Sequence, residues 1–310
     1  MVDPRLSDIP TVGNDILSRI GNTPLVQLPK IGRDFPGVTL LAKLEWFNPG
    51  GSVKDRAAAG IVAAAEQAGR LHPGKILLDA SSGNTAVAYA MICAAKGYKV
   101  TLCVPSNAST QTLKTLKAYG VELILTSPLE GSDGALREAR RLAAQKRDLY
   151  FYADQYNNPA NWQAHYRTTG REIWEQTQGD ITHFIAGLGT SGTLIGTGHY
   201  LKEKNPAVQI VAVQPDYSLP GLEGLKHMAT SIVPGIYDPA SPDTQIEVRT
   251  EDAYAMVRRL AAEEGLLAGI SSGAVLSAGL KIAGTLQQGH IVMMFPDGGI
   301  RYIDEAFWNE

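Results

Sequence analysis

ITHFIAGLGTSGTLIGTGHYLKE, residues 181–203, contains a strand, a loop and a helix in one run. ITHFIA is short and apolar, GLGTSGT consists of glycine, leucine and small hydroxyls, and the remainder has helical length. A strand feeding a helix through a glycine-rich loop is the unit of a parallel sheet. The same rhythm recurs along the chain. Strands are expected at Val38 to Leu44, Lys75 to Asp79, Lys99 to Val104, Glu122 to Leu125, Ile181 to Ala186, Gln209 to Val213 and His290 to Phe295. Helices are expected at Asp55 to Ala68, Thr85 to Lys96, Ser109 to Tyr119, Ser132 to Gln145, Ala160 to Thr177, Leu194 to Glu203, Thr250 to Glu264 and Gly273 to Thr285. The fold class is α/β. The polar DQYNNPAN interrupts the rhythm near Tyr152 to Asn161 and marks a change of domain, and the Pro- and Gly-rich stretch Gln214 to Ile246 reads as a functional loop.

Composition narrows the partners. The chain has 310 residues, 44% of them hydrophobic and 19% charged, enough to bury a large core and incompatible with a disordered or fibrous chain. A net charge of −3 supplies no positive field for nucleic acid or an acidic membrane, leaving small molecules or other proteins as partners. Cys93 and Cys103 lie in apolar surroundings and read as reduced core residues of a reducing compartment. MVDPRLSDIP lacks a basic start with an apolar stretch behind it, and no run approaches the ~20 apolar residues of a membrane helix. A soluble, cytoplasmic protein is expected.

Four glycine- and hydroxyl-rich loops fall at carboxyl ends of expected strands, where open parallel sheets hold ligands: NPGGSVKDR (48–56), SSGNT (81–85), GLGTSGT (187–193) and GISSG (269–273). GLGTSGT presents backbone amides, a helix N-terminus and the Thr190, Ser191 and Thr193 hydroxyls to an anion. Gly187, Gly189 and Gly192 also satisfy G-x-G-x-x-G, so a nicotinamide-binding oxidoreductase with Asp216 as ribose ligand is an alternative of another class. The position of the loop deep in the chain and its three hydroxyls suit a compact phosphate monoester better. Lys54 opens a helix, where the dipole disfavours a cation and lowers its pKa. A lysine paired with Asp55 or Glu45 is the bland reading. An imine-forming lysine beside a phosphate cradle is what pyridoxal phosphate requires. SSGNT adds Asn84 and the hydroxyls of Ser81, Ser82 and Thr85, which fit a carboxylate or merely cap a helix. The six histidines and two cysteines show no metal-ligand spacing, so no metal is expected.

Taken together, IGNTPLVQL, NPGGSVKDR, SSGNT, DQYNNPAN, GTSGT and GISSG, in this order, resemble the fold type II pyridoxal phosphate enzymes, and within them the cysteine synthases or O-acetylserine sulfhydrylases, closest to the B type. The resemblance runs from residue 16 to residue 303. It implies two open twisted α/β domains with helices on both faces, a smaller mobile one at 41–157 and a larger one at 1–40 and 158–310. By position it makes Lys54 the imine partner of pyridoxal 5'-phosphate and then the general base, and places Asn84 on the cofactor's 3-oxygen. It also places Gly189, Thr190, Ser191, Gly192 and Thr193 on the phosphate and Ser271 on the pyridine nitrogen. Ser81, Ser82, Thr85 and Gln155 would receive the substrate carboxylate. The implied reaction converts O-acetyl-L-serine and sulfide, or thiosulfate, to L-cysteine or S-sulfocysteine through an aminoacrylate. Where the A type has GIGAG, this chain has GLEGLKHMATSIVPGIYD, and Lys226 or His227 there would meet an anionic leaving group or sulfur donor. An O-phosphoserine sulfhydrylase or a bare cystathionine β-synthase core are close alternatives. Gly298 stands where relatives usually have serine. The resemblance further implies a homodimer and a possible serine acetyltransferase partner.

Overall fold

The computed structural model describes residues 12–217 and 221–309. The N-terminal decapeptide read above lies outside them. The chain begins with β1 (Leu25–Gln27), α1 (Pro29–Gly32) and β2 (Val38–Leu44), followed by α2 (Lys54–Gln67). Four strands then alternate with helices: β3 (Ile76–Ala80), α3 (Asn84–Lys96), β4 (Lys99–Pro105), α4 (Thr110–Ala118), β5 (Glu122–Thr126), α5 (Gly131–Gln145) and β6 (Tyr150–Tyr152). Next come α6 (Ala160–His165), α7 (Arg171–Gln176), β7 (His183–Gly187), α8 (Gly192–Lys204) and β8 (Gln209–Pro215). The last elements are β9 (Thr244–Val248), α9 (Thr250–Arg259), α10 (Ile270–Ala283) and β10 (Gly289–Phe295).

Two sheets result. One has the order β1-β2-β10-β7-β8-β9 and is parallel apart from β1, which pairs antiparallel with β2. The other is a parallel sheet of order β5-β4-β3-β6. Side chains alternate across each sheet, as a two-residue period dictates. In the larger sheet Ile185, Val211, Val213 and Met293 pack towards α9 and α10, whereas Phe184, Ala186, Ile210, Ala212 and Met294 pack towards α8. In the smaller sheet Leu77, Val100 and Leu102 meet α2 and α3, and Leu78, Ala80 and Cys103 meet α5. Burial on both faces explains the continuous apolar strands such as HIVMMF. Cys93 and Cys103 lie in different clusters, and burial pushes both thiols up to about 12.

All seven expected strands are present. β1 and β6, of three residues each, and β9, at the end of the Pro- and Gly-rich stretch, were not expected. β1 and β6 are too short to carry a period, and β9 is mostly exposed and is defined by its pairing with β8. The expected helix Ala160 to Thr177 contains a π-helical turn at Tyr166–Gly170 between α6 and α7, and Thr250 to Glu264 ends in another at Leu260–Glu264. The expected domain boundary at 41 falls inside β2, whose residues 41–44 pair with β10, so the chain leaves the larger sheet only after Leu44. Among the described residues no helix is long and apolar enough to cross a membrane.

A buried ion network joins these parts. Arg56 of α2 donates through Nε to Glu45 Oε2 at 2.7 Å and through Nη1 to Glu172 Oε1 at 2.6 Å. Lys43 of β2 donates to Glu172 Oε2 at 2.8 Å and to the Thr23 carbonyl at 2.7 Å. Burial would raise the Glu172 carboxyl, but Arg56 and Lys43 outweigh it and hold the group down to about 2. Removing one partner leaves a buried charge unanswered, which costs roughly 3–5 kcal/mol. Arg56→Ala is therefore expected to destabilise the fold by about that much in chemical denaturation. Because the Glu172 pKa is depressed on folding, its contribution is lost as pH falls from about 4.5 to about 2. Glu172→Gln is expected to remove that part of the acid sensitivity.

Candidate active site

The ends of β3, β4, β6 and β7, with α2, α5 and the long loop, enclose one cavity of about 520 Å³. Lys54 enters it from the first turn of α2, and residues Ser81 to Thr85 from the β3–α3 junction. Gln155 and Tyr156 follow β6, Gly189 and Thr190 follow β7, and Leu222 to Lys226 form a flap from the long loop. A narrower adjoining space is lined by Lys54, Asn84, Thr190, Ser191, Thr193, Ser271 and Asp297. Apart from His227 and Gly192, every residue singled out as binding cofactor or substrate lines one of these two adjoining spaces. Gly192 supports it from behind as the first residue of α8.

The geometry of Lys54 follows from its helix. Arg56, two residues on and about 200° round, is anchored in the ion network, so Lys54 points the other way, into the cavity. Neither acid of the bland reading holds it: Glu45 is engaged by Arg56, and Asp55 Oδ2 accepts from Gly50 N. Burial pushes the Lys54 amine below its usual value, with Asp297 and Glu45 opposing. Burial, a cause beyond the helix dipole expected from the sequence, is the largest of these.

The GLGTSGT loop is built to expose its backbone. Ser191 caps α8 in a left-handed conformation, φ 68°, a strained choice for a non-glycine residue. Its hydroxyl donates to the Thr190 carbonyl, so Ser191 is left to offer its amide. A Cβ on Gly189 would lie 2.6 Å from the Gly224 carbonyl, and one on Gly192 would lie 2.0 Å from Asn161 Oδ1. Both glycines permit a close approach. Asn161 Nδ2 donates to the Gln155 carbonyl at 2.8 Å and to Thr190 Oγ1 at 3.2 Å. Behind the loop, Thr193 Oγ1 lies 3.3 Å from His165 Nε2, and burial pushes His165 down to about 3, so the imidazole is neutral.

In SSGNT, Ser81 Oγ accepts from Ala86 N at 3.2 Å and Gly83 N at 3.4 Å, a capping role that leaves its proton free to donate. Thr85 Oγ1 donates to Gln155 Oε1 at 2.9 Å, and Gln155 Nε2 to the Ala80 carbonyl at 3.2 Å. Asn84 Nδ2 donates to Asp297 Oδ2 at 2.7 Å. On the flap, Lys226 Nζ lies 3.9 Å from Asp133 and 5.0 Å from the centre of the Tyr156 ring. His227 instead bonds Thr230 through Nδ1 at 2.9 Å and is absent from the cavity wall, so only the first of the two expected cations reaches it. A Cβ at Gly298 would meet Trp46 Cβ at 3.4 Å, so the space beside it admits a small side chain. Among the described residues no group of His, Cys, Asp or Glu could hold a metal.

Asn161, His165, Tyr156 and Asp297 escaped the sequence reading. Asp297 carried a usable signal, since it follows β10 at the same sheet edge as the marked loops. The others act from inside helices or behind a loop, and no local pattern marks them.

A lysine amine beside a helix-terminated anion cradle, with a neutral hydroxyl and an amide in the same space, fits pyridoxal phosphate. It does not suit a nicotinamide: Asp216 is exposed beyond β8 and lines neither space. The class is that of an imine-forming phosphate-cofactor enzyme on an α/β scaffold. The chain belongs to the pyridoxal-phosphate dependent enzyme family, whose profile matches residues 16–297. It is 50% identical over 301 residues to a cysteine synthase of Aquifex aeolicus, covering 95% of this chain and 92% of the relative. It is 42% identical to cysteine synthase B of Pseudomonas aeruginosa, covering 94% of this chain and 96% of that one. The crystal structure of cysteine synthase from Entamoeba histolytica superposes with a TM-score of 0.92 at 37% identity, covering 96% and 91% of the two chains.

Gly189→Ala tests the cradle. Its Cβ would press on the Gly224 carbonyl, and overpacking of this kind costs about 1–3 kcal/mol. Cofactor retention on dialysis is expected to weaken by roughly tenfold or more.

Proposed function

We propose that this enzyme acts as a cysteine synthase, converting O-acetyl-L-serine and sulfide, or thiosulfate, to L-cysteine or S-sulfocysteine by β-replacement. The observation that carries the reading is the meeting of Lys54, the GLGTSGT helix terminus and the SSGNT loop in one cavity. Gly189 to Thr193 would hold the cofactor's phosphate, Asn84 its 3-oxygen and Ser271 its ring nitrogen. When bound, pyridoxal phosphate supplies a sink for the electron pair left on the substrate's α-carbon. Ser82 and the backbone amide of Thr85, with the free proton of Ser81, would bind the substrate carboxylate at the start of α3, where the helix terminus favours an anion. Gln155 fixes Thr85 from behind. Lys54 would hold the cofactor and, when its amine is free, would take the α-proton; its depressed pKa keeps a larger neutral fraction available for that task. A neutral Ser271 hydroxyl facing the ring nitrogen would withhold a full charge from it and so favour loss of the β-substituent.

Lys226 supports a second reading, an anionic leaving group such as phosphate, because its ammonium reaches the cavity wall. Asp133 at 3.9 Å tempers that charge. The four-stranded unit would close over substrate, carrying SSGNT and Gln155 with it. A homodimer, a cytoplasmic setting consistent with two free buried thiols, and a serine acetyltransferase whose terminal carboxylate competes for Ser81 to Thr85 complete the proposal.

Lys54→Ala is expected to lower cysteine formation by roughly 10²–10⁴-fold or more while circular dichroism stays unchanged; retained turnover would remove Lys54 from its role. Lys226→Ala is expected to raise KM for O-phosphoserine by roughly tenfold and leave that for O-acetylserine within about twofold. Equal effects on both would refute the anion contact. Cystathionine formation from homocysteine, measured against sulfide use, separates the remaining alternative.

A further inference from the structure

Three of the four marked loops converge on a residue that none of them contains. Ser52 and Asp297 form an isolated β-bridge, and Val53 N donates to the Pro296 carbonyl at 2.8 Å, which fixes the Lys54 loop. Gly269 N donates to the Asp297 carbonyl at 2.9 Å, which fixes the helix bearing Ser271. The Asp297 side chain, 1% exposed, reaches the third loop: Oδ2 accepts from Asn84 Nδ2 at 2.7 Å and from the Tyr302 hydroxyl at 2.8 Å. Oδ1 has no partner, and the residue lines the narrow space with Lys54 and Ser271.

A buried carboxylate with an unanswered oxygen is costly unless a cation faces it. The charged and titratable groups around the pair are few. Arg301 lies near Asp297 but donates to the Gly50 carbonyl at 2.9 Å, Tyr302 is already bonded to Oδ2, and Glu223, which lines the same space, is a second carboxyl raised by burial and by Asp297 and supplies no cation. On the Lys54 side, Glu45 is engaged by Arg56, and His165 is neutral. Lys54 is the cation that lines the narrow space together with Asp297 and lies within Coulombic reach of it.

We propose that Asp297 is a positioning residue whose carboxylate holds the ammonium that Lys54 becomes when it takes the substrate's α-proton. The inference rests on the role of Lys54 as base. In that step the Cα–H bond breaks, an N–H bond forms at Nζ, and the electron pair stays with the substrate. Nζ gains a positive charge in a walled space, and the carboxylate lining that space supplies the counter-charge without reorganisation of water. Burial pushes Lys54 down and Asp297 up, and each opposes the shift of the other.

The test uses the holoenzyme in stopped flow with O-acetylserine across pH, following the visible absorbance of the bound cofactor. Asp297→Asn keeps the shape and the hydrogen-bond acceptor and removes the charge. Loss of an adjacent opposite charge lowers a lysine pKa by about 1–3 units, so the midpoint of the pH dependence of the first half-reaction is expected to move down by that amount. The plateau rate is expected to fall roughly tenfold, as a weaker base with an uncompensated product demands. Asp297→Glu is expected to restore the midpoint, which a purely structural role would not require. An unchanged midpoint in cofactor-loaded Asp297→Asn overturns the proposal; if that variant does not fold, Asp297→Ser is read in the same way. Lys54→Ala keeps the two claims apart. Turnover retained there sinks the base itself, whereas an inactive Lys54→Ala beside an unchanged Asp297→Asn midpoint sinks only the carboxylate.

Discussion

The Arg56 guanidinium, held between Glu45 and Glu172, is the interaction on which the site depends. It joins the start of α2 to the end of β2 and to α7, and Thr23 of the IGNTP stretch completes it by donating to Glu45 Oε1 at 2.6 Å. A salt bridge inside a protein is weak support for stability when compared with an apolar replacement, because both ions lose their water. Its value here is directional. A planar guanidinium bonded on two sides fixes the rotation of the helix about its axis, and the rotation decides where Lys54 points.

From that orientation the chemistry follows by convergence at strand ends. The parallel sheets present their carboxyl edges to a common space, and helix N-termini at α2, α3, α8 and α10 point their amides into it. Such a space favours anions throughout. Acidic groups that remain inside it, Asp297 above all, therefore need either a donor or a cation, and Asn84, Tyr302 and Lys54 are placed to serve. The neutral His165 behind Thr193 and the amide of Asn161 behind Thr190 support the opposite wall without adding charge to it.

The strands of five residues or more in the sheet cores were legible in the sequence, because burial on both faces demands an apolar run that few other contexts tolerate. β9 escaped since its TQIEV alternates with mostly exposed residues, and β1 and β6 because three residues carry no pattern. The loops of the site were legible for a related reason: glycine, small hydroxyls and amide at the end of an apolar run have few structural uses there. Lys54 was legible as an oddity, a cation at the wrong end of a helix. Asp297 was overlooked because one carboxylate after a strand looks like a turn residue until its burial is known.

By itself the sequence determined the α/β class, the loops that carry the chemistry and the family, since these rest on local composition and on the order of short motifs. Tertiary structure alone decided which way Lys54 faces, that Lys226 and not His227 reaches the cavity, and that Asp297 stands among Lys54, Asn84 and Ser271. Those facts depend on helix rotation and on contacts between residues more than 200 positions apart. A chain pattern records which side chains are available; only packing excludes water from some of them and so sets their charge.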